Sequence, residues 1–197
     1  MNNLLDMIPK IPVGEIVERV MDSITDTFSG IFKSIQVNGG NLMETLTDTL
    51  IAIPPIIFII LVALLAFLAT RKIIGLALFS VIGLGFIYNQ GLWEELMNTF
   101  TLVLFSSLIA IILGIPIGIL MSKSKLAEEV IKPILDFMQT MPGFVYLIPA
   151  VAFFGIGVVP GVFASVIFAL PPTVRFTNLG IRQVPKDLIE AADSYGS

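Results

Sequence analysis

Leu50 to Ala69 is a run of 20 residues without one charged side chain. As a helix rising about 1.5 Å per residue, it covers the roughly 30 Å hydrocarbon thickness of a bilayer. Four more apolar stretches follow. Ile73–Tyr88, short unless extended through Leu92, exits at Asn89-Gln90-Gly91 with Glu94-Glu95. Leu96–Met121 stops at Ser122-Lys123-Ser124-Lys125, Ile134 to about Val158 is interrupted by Pro142 and Pro149, and Gly161–Val174 ends at Arg175. The expected fold is all-α, a polytopic transmembrane helix bundle of about five spans. Composition points the same way, since 56% of residues are hydrophobic, 13% are charged and the mean hydropathy is +0.96, outside the balance of a soluble domain.

The segment before these spans, residues 1–49, reads differently. Ile16, Val17, Val20, Met21, Ile24, Phe28, Ile31, Phe32 and Ile35 recur at helical spacing, while Glu15, Glu18, Arg19, Asp22, Asp26 and Lys33 fill most of the other face. That pattern predicts an amphipathic helix over roughly 14–35, lying either in a lipid interface or against the protein's own membrane domain. Val37-Asn38-Gly39-Gly40-Asn41 is expected to end it. No apolar core precedes a small-residue cleavage site, so the first span is expected to serve as an uncleaved anchor.

Basic residues orient the bundle. With Arg71-Lys72 on the cytoplasmic side, alternation puts Lys123, Lys125 and Lys132 in the next cytoplasmic loop and Arg175, Arg182 and Lys186 in the last. The outer loops near 89–95 and 157–161 hold no Lys or Arg, which places the amino terminus outside.

Several chemistries are excluded or lose support. A net charge of −4, with its cations scattered, gives no footprint for nucleic acid. The absence of Cys and His removes disulfides, thiolate metal sites and the commonest general base. Intramembrane ionisable residues, the usual mark of a proton relay, are nearly missing. Asp136, one turn from Lys132, reads as a residue at the cytoplasmic boundary. There is no Gly-x-x-x-x-Gly-Lys-Ser/Thr phosphate loop, so the chain cannot bind ATP by that device and any ATPase has to be a separate subunit.

Prolines and glycines are dense in the spans: Pro54-Pro55, Gly114-x-Pro116-x-Gly118, Pro142-Gly143, Pro149, Gly155-x-Gly157 and Pro171-Pro172. Backbone groups freed by such breaks must be satisfied inside a bundle or along a cavity. Gly114 and Gly118 also fit close helix packing. After the last span, Pro185 is followed by Leu188, Ile189, Ala191 and Ala192 beside Lys186, Asp187 and Glu190. Small alanines permit close approach, Glu190 offers a charge to an opposing cation, and Gly196 permits a sharp turn. The segment predicts a short docking helix.

Glu190-Ala191-Ala192-x-x-x-Gly196 resembles the cytoplasmic loop by which ABC-importer permeases grip their ATPase. More specifically, Gln139-Thr-Met-Pro-Gly-Phe-Val-Tyr-Leu-Ile-Pro149, Phe154-Gly-Ile-Gly-Val-Val-Pro-Gly161, Ile167-Phe-Ala-Leu-Pro-Pro-Thr-Val-Arg175 and Leu179-Gly-Ile-Arg-Gln-Val-Pro185 are similar to the membrane subunit of quaternary-amine importers, which take up glycine betaine, proline betaine, carnitine or choline. The likeness is close over roughly 96–197 and looser before.

The resemblance implies a type I importer permease domain over 50–197, a second permease copy forming a homodimer, and two cytoplasmic ABC ATPase subunits. It also implies an extracellular or periplasmic substrate-binding protein or fused domain, and a bacterial plasma membrane location. No cofactor is expected in this chain, with ATP and Mg bound by the partner ATPase. Glu190, Ala191, Ala192 and Gly196 map onto the coupling motif. Family members continue past Gly196 with an Ile-x-Leu-Pro element and further spans, whereas this chain stops at Ser197, which makes the domain C-terminally incomplete by that comparison. Met141, Pro142, Phe144, Tyr146 and Pro149 are candidates for the translocation path. A quaternary ammonium is held by aromatic faces worth about 0.5–2 kcal/mol each, although aromatic residues in spans also serve packing or interface anchoring. Two rivals stand beside this reading: a type I permease for another small solute such as an amino acid, and a non-transporting membrane scaffold.

Overall fold

A computed structural model describes residues 12–69 and 74–196. Among these residues eight helices follow in order: α1 Val13–Ile51, α2 Pro55–Ala69, α3 Ile74–Asn89, α4 Trp93–Lys123, α5 Lys125–Thr140, α6 Gly143–Phe154, α7 Val158–Arg182 and α8 Lys186–Ser194. Arg71 and Lys72, expected on the cytoplasmic side, lie outside the described residues. Large apolar side chains such as Ile56, Leu64, Ile74, Phe79, Ile112 and Ile148 remain exposed along the helices, as lipid-facing surface requires.

Among the described residues, α4 and α7 are each long and apolar enough to cross a bilayer. Two further spans arise if bent pairs are counted as units: Gly14–Ile51 with Pro55–Ala69, bent by 88°, and Lys125–Thr140 with Gly143–Phe154, bent by 96°. α3 is a shorter apolar helix. These lengths support a polytopic bundle and do not reach the finer count of five spans. The stretch expected as one interrupted span from Ile134 is instead two helices meeting nearly at a right angle. Met141 precedes Pro142 and is pushed out of helical conformation to φ −95°, ψ 139°.

The amphipathic helix runs well past its expected end. α1 continues through Gly39-Gly40 to Ile51, because glycine weakens a helix without forbidding it and packing compensates here. A Cβ on Gly39 would stand 3.3 Å from Val159 Cγ2, and Met43 and Thr47 beyond it are buried. The apolar face of α1 is divided in use. Phe32 stacks on Phe153 at 4.9 Å and meets Phe154 edge-on at 5.5 Å, while Ile16, Val17, Val20, Ile24, Phe28 and Ile31 stay exposed.

The core centres on α4 and α7, which run side by side in the same direction. Ser106 Oγ donates to the Val162 carbonyl at 3.4 Å. Further along, Gly114 faces Thr173, Gly118 faces Val174 and Thr177, and Arg182 reaches the Met121 carbonyl. A Cβ on Gly114 would meet Thr173 Cγ2 at 2.7 Å, and one on Gly118 would meet Thr177 Cβ at 2.6 Å and the Val174 carbonyl at 2.8 Å. Thr173 and Thr177 turn their hydroxyls back to the Ala169 and Thr173 carbonyls, leaving their methyls to fill the glycine grooves. The small pair therefore serves close helix packing. At one end Phe58, Trp93 and Met97 form a buried cluster, and at the other Met121, Leu135 and Val174 do so.

Candidate coupling helix and membrane cleft

α7 ends at Arg182, and three residues, Gln183, Val184 and Pro185, separate it from α8. Pro185 starts the new helix as sequence chemistry leads one to expect: it lacks an N–H, and its carbonyl accepts from Leu188 and Ile189. Leu188, Ala191, Ala192 and Tyr195 fall at positions i, i+3, i+4 and i+7, one stripe of the helix surface. All four are exposed, as are Ile189 and Glu190. The Glu190 carbonyl accepts the Ser194 hydroxyl at 2.7 Å. Tyr195 closes the helix by bonding the Ala191 and Ala192 carbonyls, and Gly196 follows at φ +78°. α8 makes no extensive packing contact with another helix among the described residues. The four expected coupling residues therefore lie together on an exposed element, apart from the cleft.

The cleft opens between α4, α6 and α7, with a volume of about 540 Å³. Its walls combine Ser106, Ser107 and Ser165 with Gly143, Phe144, Gly161, Ala164 and Phe168. Of the five expected path residues, Phe144 lines it and is 81% exposed. Met141 and Pro142 form the sharp corner between α5 and α6. Tyr146 does different work: its hydroxyl donates to the Met138 carbonyl at 2.8 Å. In an uninterrupted helix that carbonyl would receive the N–H four residues on, which is Pro142 and has none. Tyr146 thus supplies the donor that Pro142 lacks and pins the corner. Pro149 sits within α6, half-buried and outside the cleft lining.

Phe168 and the three serines were missed as cleft residues from sequence. Adjacent serines at 106 and 107 inside an apolar span were the available signal, because polar side chains in lipid turn toward protein or cavity. Asp136, expected at the boundary, forms an ion pair with Arg175 of α7. No cluster of three or more acidic metal-ligating side chains is found among the described residues.

Residues 110–197 match the family described as the binding-protein-dependent transport system inner membrane component. The chain is 53% identical over 192 residues to the glycine betaine/carnitine transport permease protein GbuB of Listeria monocytogenes serotype 1/2a, covering 96% of this chain and 68% of that protein. It is 48% identical over 193 residues to the glycine betaine transport system permease protein OpuAB of Bacillus subtilis, covering 98% and 68% respectively. Against the glycine betaine/proline betaine transport system permease protein ProW of Escherichia coli it is 42% identical over 198 residues, spanning 99% of this chain and 55% of that relative. With its membrane-length helices, this chain belongs to the permease subunits of glycine betaine-type, binding-protein-dependent ABC importers, multi-pass proteins of the bacterial plasma membrane.

Proposed function

We propose that the chain works as the permease subunit of an ATP-driven importer of glycine betaine or a related quaternary-amine osmoprotectant. The observation that carries this is the 53% identity to a glycine betaine/carnitine permease across 96% of the chain. In this reading a homodimer of permeases joins two cytoplasmic ATPases, which bind ATP and Mg and perform the hydrolysis, and an external binding protein or domain delivers the solute. α8 is the dock: its Leu188, Ala191, Ala192 and Tyr195 stripe seats on the ATPase surface, and Glu190 pairs with a cation there.

The cleft is one half of the translocation path, completed by the second copy. Phe144 and Phe168 offer aromatic faces to a methylated ammonium, which cannot donate hydrogen bonds. Ser107 and Ser165, partly exposed there, keep the wall wettable for the carboxylate end of the solute. The exposed apolar residues of α1 between Ile16 and Ile31 rest on lipid, so that residues 1–49 act as an interfacial segment beside the membrane domain of 50–197. ATP closure of the ATPases moves α8 and swings the bundle between inward and outward access.

Competition against labelled glycine betaine uptake tests the substrate class. Unlabelled glycine betaine, carnitine and proline betaine are expected to compete, and glutamine is not. Competition by glutamine alone would move the assignment to an amino-acid permease, and an assembled complex without ATPase stimulation would favour the scaffold.

A further inference from the structure

We infer that Arg182 is a positioning residue that makes movement of α8 act on three helices at once. The inference rests on the permease reading above and adds a mechanical part to it. α8 has no extensive packing of its own against the bundle among the described residues, so a push on it enters through residues 183–185 at the end of α7. Arg182 occupies that end. Its guanidinium donates to the Met121 carbonyl at 3.2 Å and to Glu128 Oε2 at 2.6 Å. Met121 lies in the last turn of α4, where carbonyls lack helical partners and carry negative partial charge. Glu128 lies in the first turn of α5, where a carboxylate complements the opposite end of the dipole. A single guanidinium nitrogen, Nη2 with its two hydrogens, therefore joins α4, α5 and α7 beside the dock.

A second ion pair, Asp136 with Arg175, lies about two turns further along the same two helices. It keeps α5 aligned on α7, so the pull at Arg182 carries along α5 to the Pro142 corner and the cleft beyond.

The test uses the permease assembled with its ATPase and binding protein in proteoliposomes, comparing wild type, Arg182→Gln, Arg182→Lys and Glu128→Gln. Readouts are ATPase co-purification, ATP hydrolysis, and solute carried per ATP. Because the chain has no cysteine, spin labels placed at Leu126 of α5 and Asp187 of α8, both exposed and off the docking stripe, report the α5–α8 distance without reference to any solute. Arg182→Gln is expected to keep ATPase attachment and hydrolysis within about twofold, cut solute per ATP by about fivefold or more, and broaden the label distances. Arg182→Lys and Glu128→Gln are expected to fall between, each retaining part of the junction. Label distances and solute per ATP unchanged in Arg182→Gln would overturn the inference, as would loss confined to attachment in all three variants. Wild-type vesicles that show the narrow label distance yet carry no glycine betaine would instead refute the substrate reading and leave the clamp standing.

Discussion

The α4–α7 crossing and α8 solve opposite problems with the same small residues. At the crossing, Gly114 and Gly118 lie so close to Thr173, Val174 and Thr177 that no Cβ fits without movement. In α8, Ala191 and Ala192 stand exposed on a helix without extensive packing of its own. At the crossing the glycines bring two backbones together. There the facing helix is in place; in α8 the small pair is, in the function proposed above, part of the surface offered to the ATPase. In that reading the crossing is the rigid frame and α8 the movable handle, with Arg182 between them.

The largest break in this contrast is expected from Gly118→Leu. The first added carbon already meets the Val174 backbone oxygen at 2.8 Å, and overpacking of this kind costs about 3 kcal/mol. Thermal unfolding of the purified permease should show a large loss, or no folded protein, while Gly114→Ala, which meets chiefly the Thr173 side chain, should lose about 1 kcal/mol. Equal tolerance of both would mean the helices are not held at this spacing.

Next in size is Glu190→Lys on the handle. ATPase co-purification is expected to fall at least about tenfold, as for a reversed charge in an interface, with membrane insertion and thermal stability unchanged. Normal co-purification would remove Glu190 from the dock. Tyr146→Phe sharpens the frame side: it deletes the donor to the Met138 carbonyl and should lower stability by about 1 kcal/mol, read as a shift in unfolding temperature with attachment intact. The smallest effect is expected from Phe144→Ala, which should raise the KM for glycine betaine uptake about threefold, the scale of one aromatic contact, without altering ATPase attachment. An unchanged KM would take Phe144 off the path.

The frame and the handle were unequally legible in the sequence. α4 could be read from uncharged length and α8 from Pro185, the alanine pair and their charged neighbours, because each signal is local, whereas α7 was read only as Gly161–Val174 and in fact continues through Arg175 to Arg182. The corner at Pro142 was visible as a break, but the 96° turn was not. A residue before proline is disfavoured in helical conformation, yet Pro116, Pro133 and Pro149 continue their helices, so whether the chain turns, and in which direction, depends on what it packs against. Here that includes the Tyr146 bond, which spans eight residues. Gly39-Gly40 misled for the converse reason, since a local weakness was outweighed by the distant Val159. The cleft drew one expected residue, Phe144, while Ser106, Ser165 and Phe168 come from two helices about sixty residues apart in the chain, and no local pattern pairs them.

The most direct measurement is ATP-driven uptake of labelled glycine betaine into proteoliposomes holding the permease, its ATPase and its binding protein, with wild type compared against Glu190→Lys. Uptake that requires ATP in the wild type and collapses with the dock variant, while both permeases remain folded, is the predicted result. Equal uptake by both, or none by a fully assembled wild-type complex, would contradict the account.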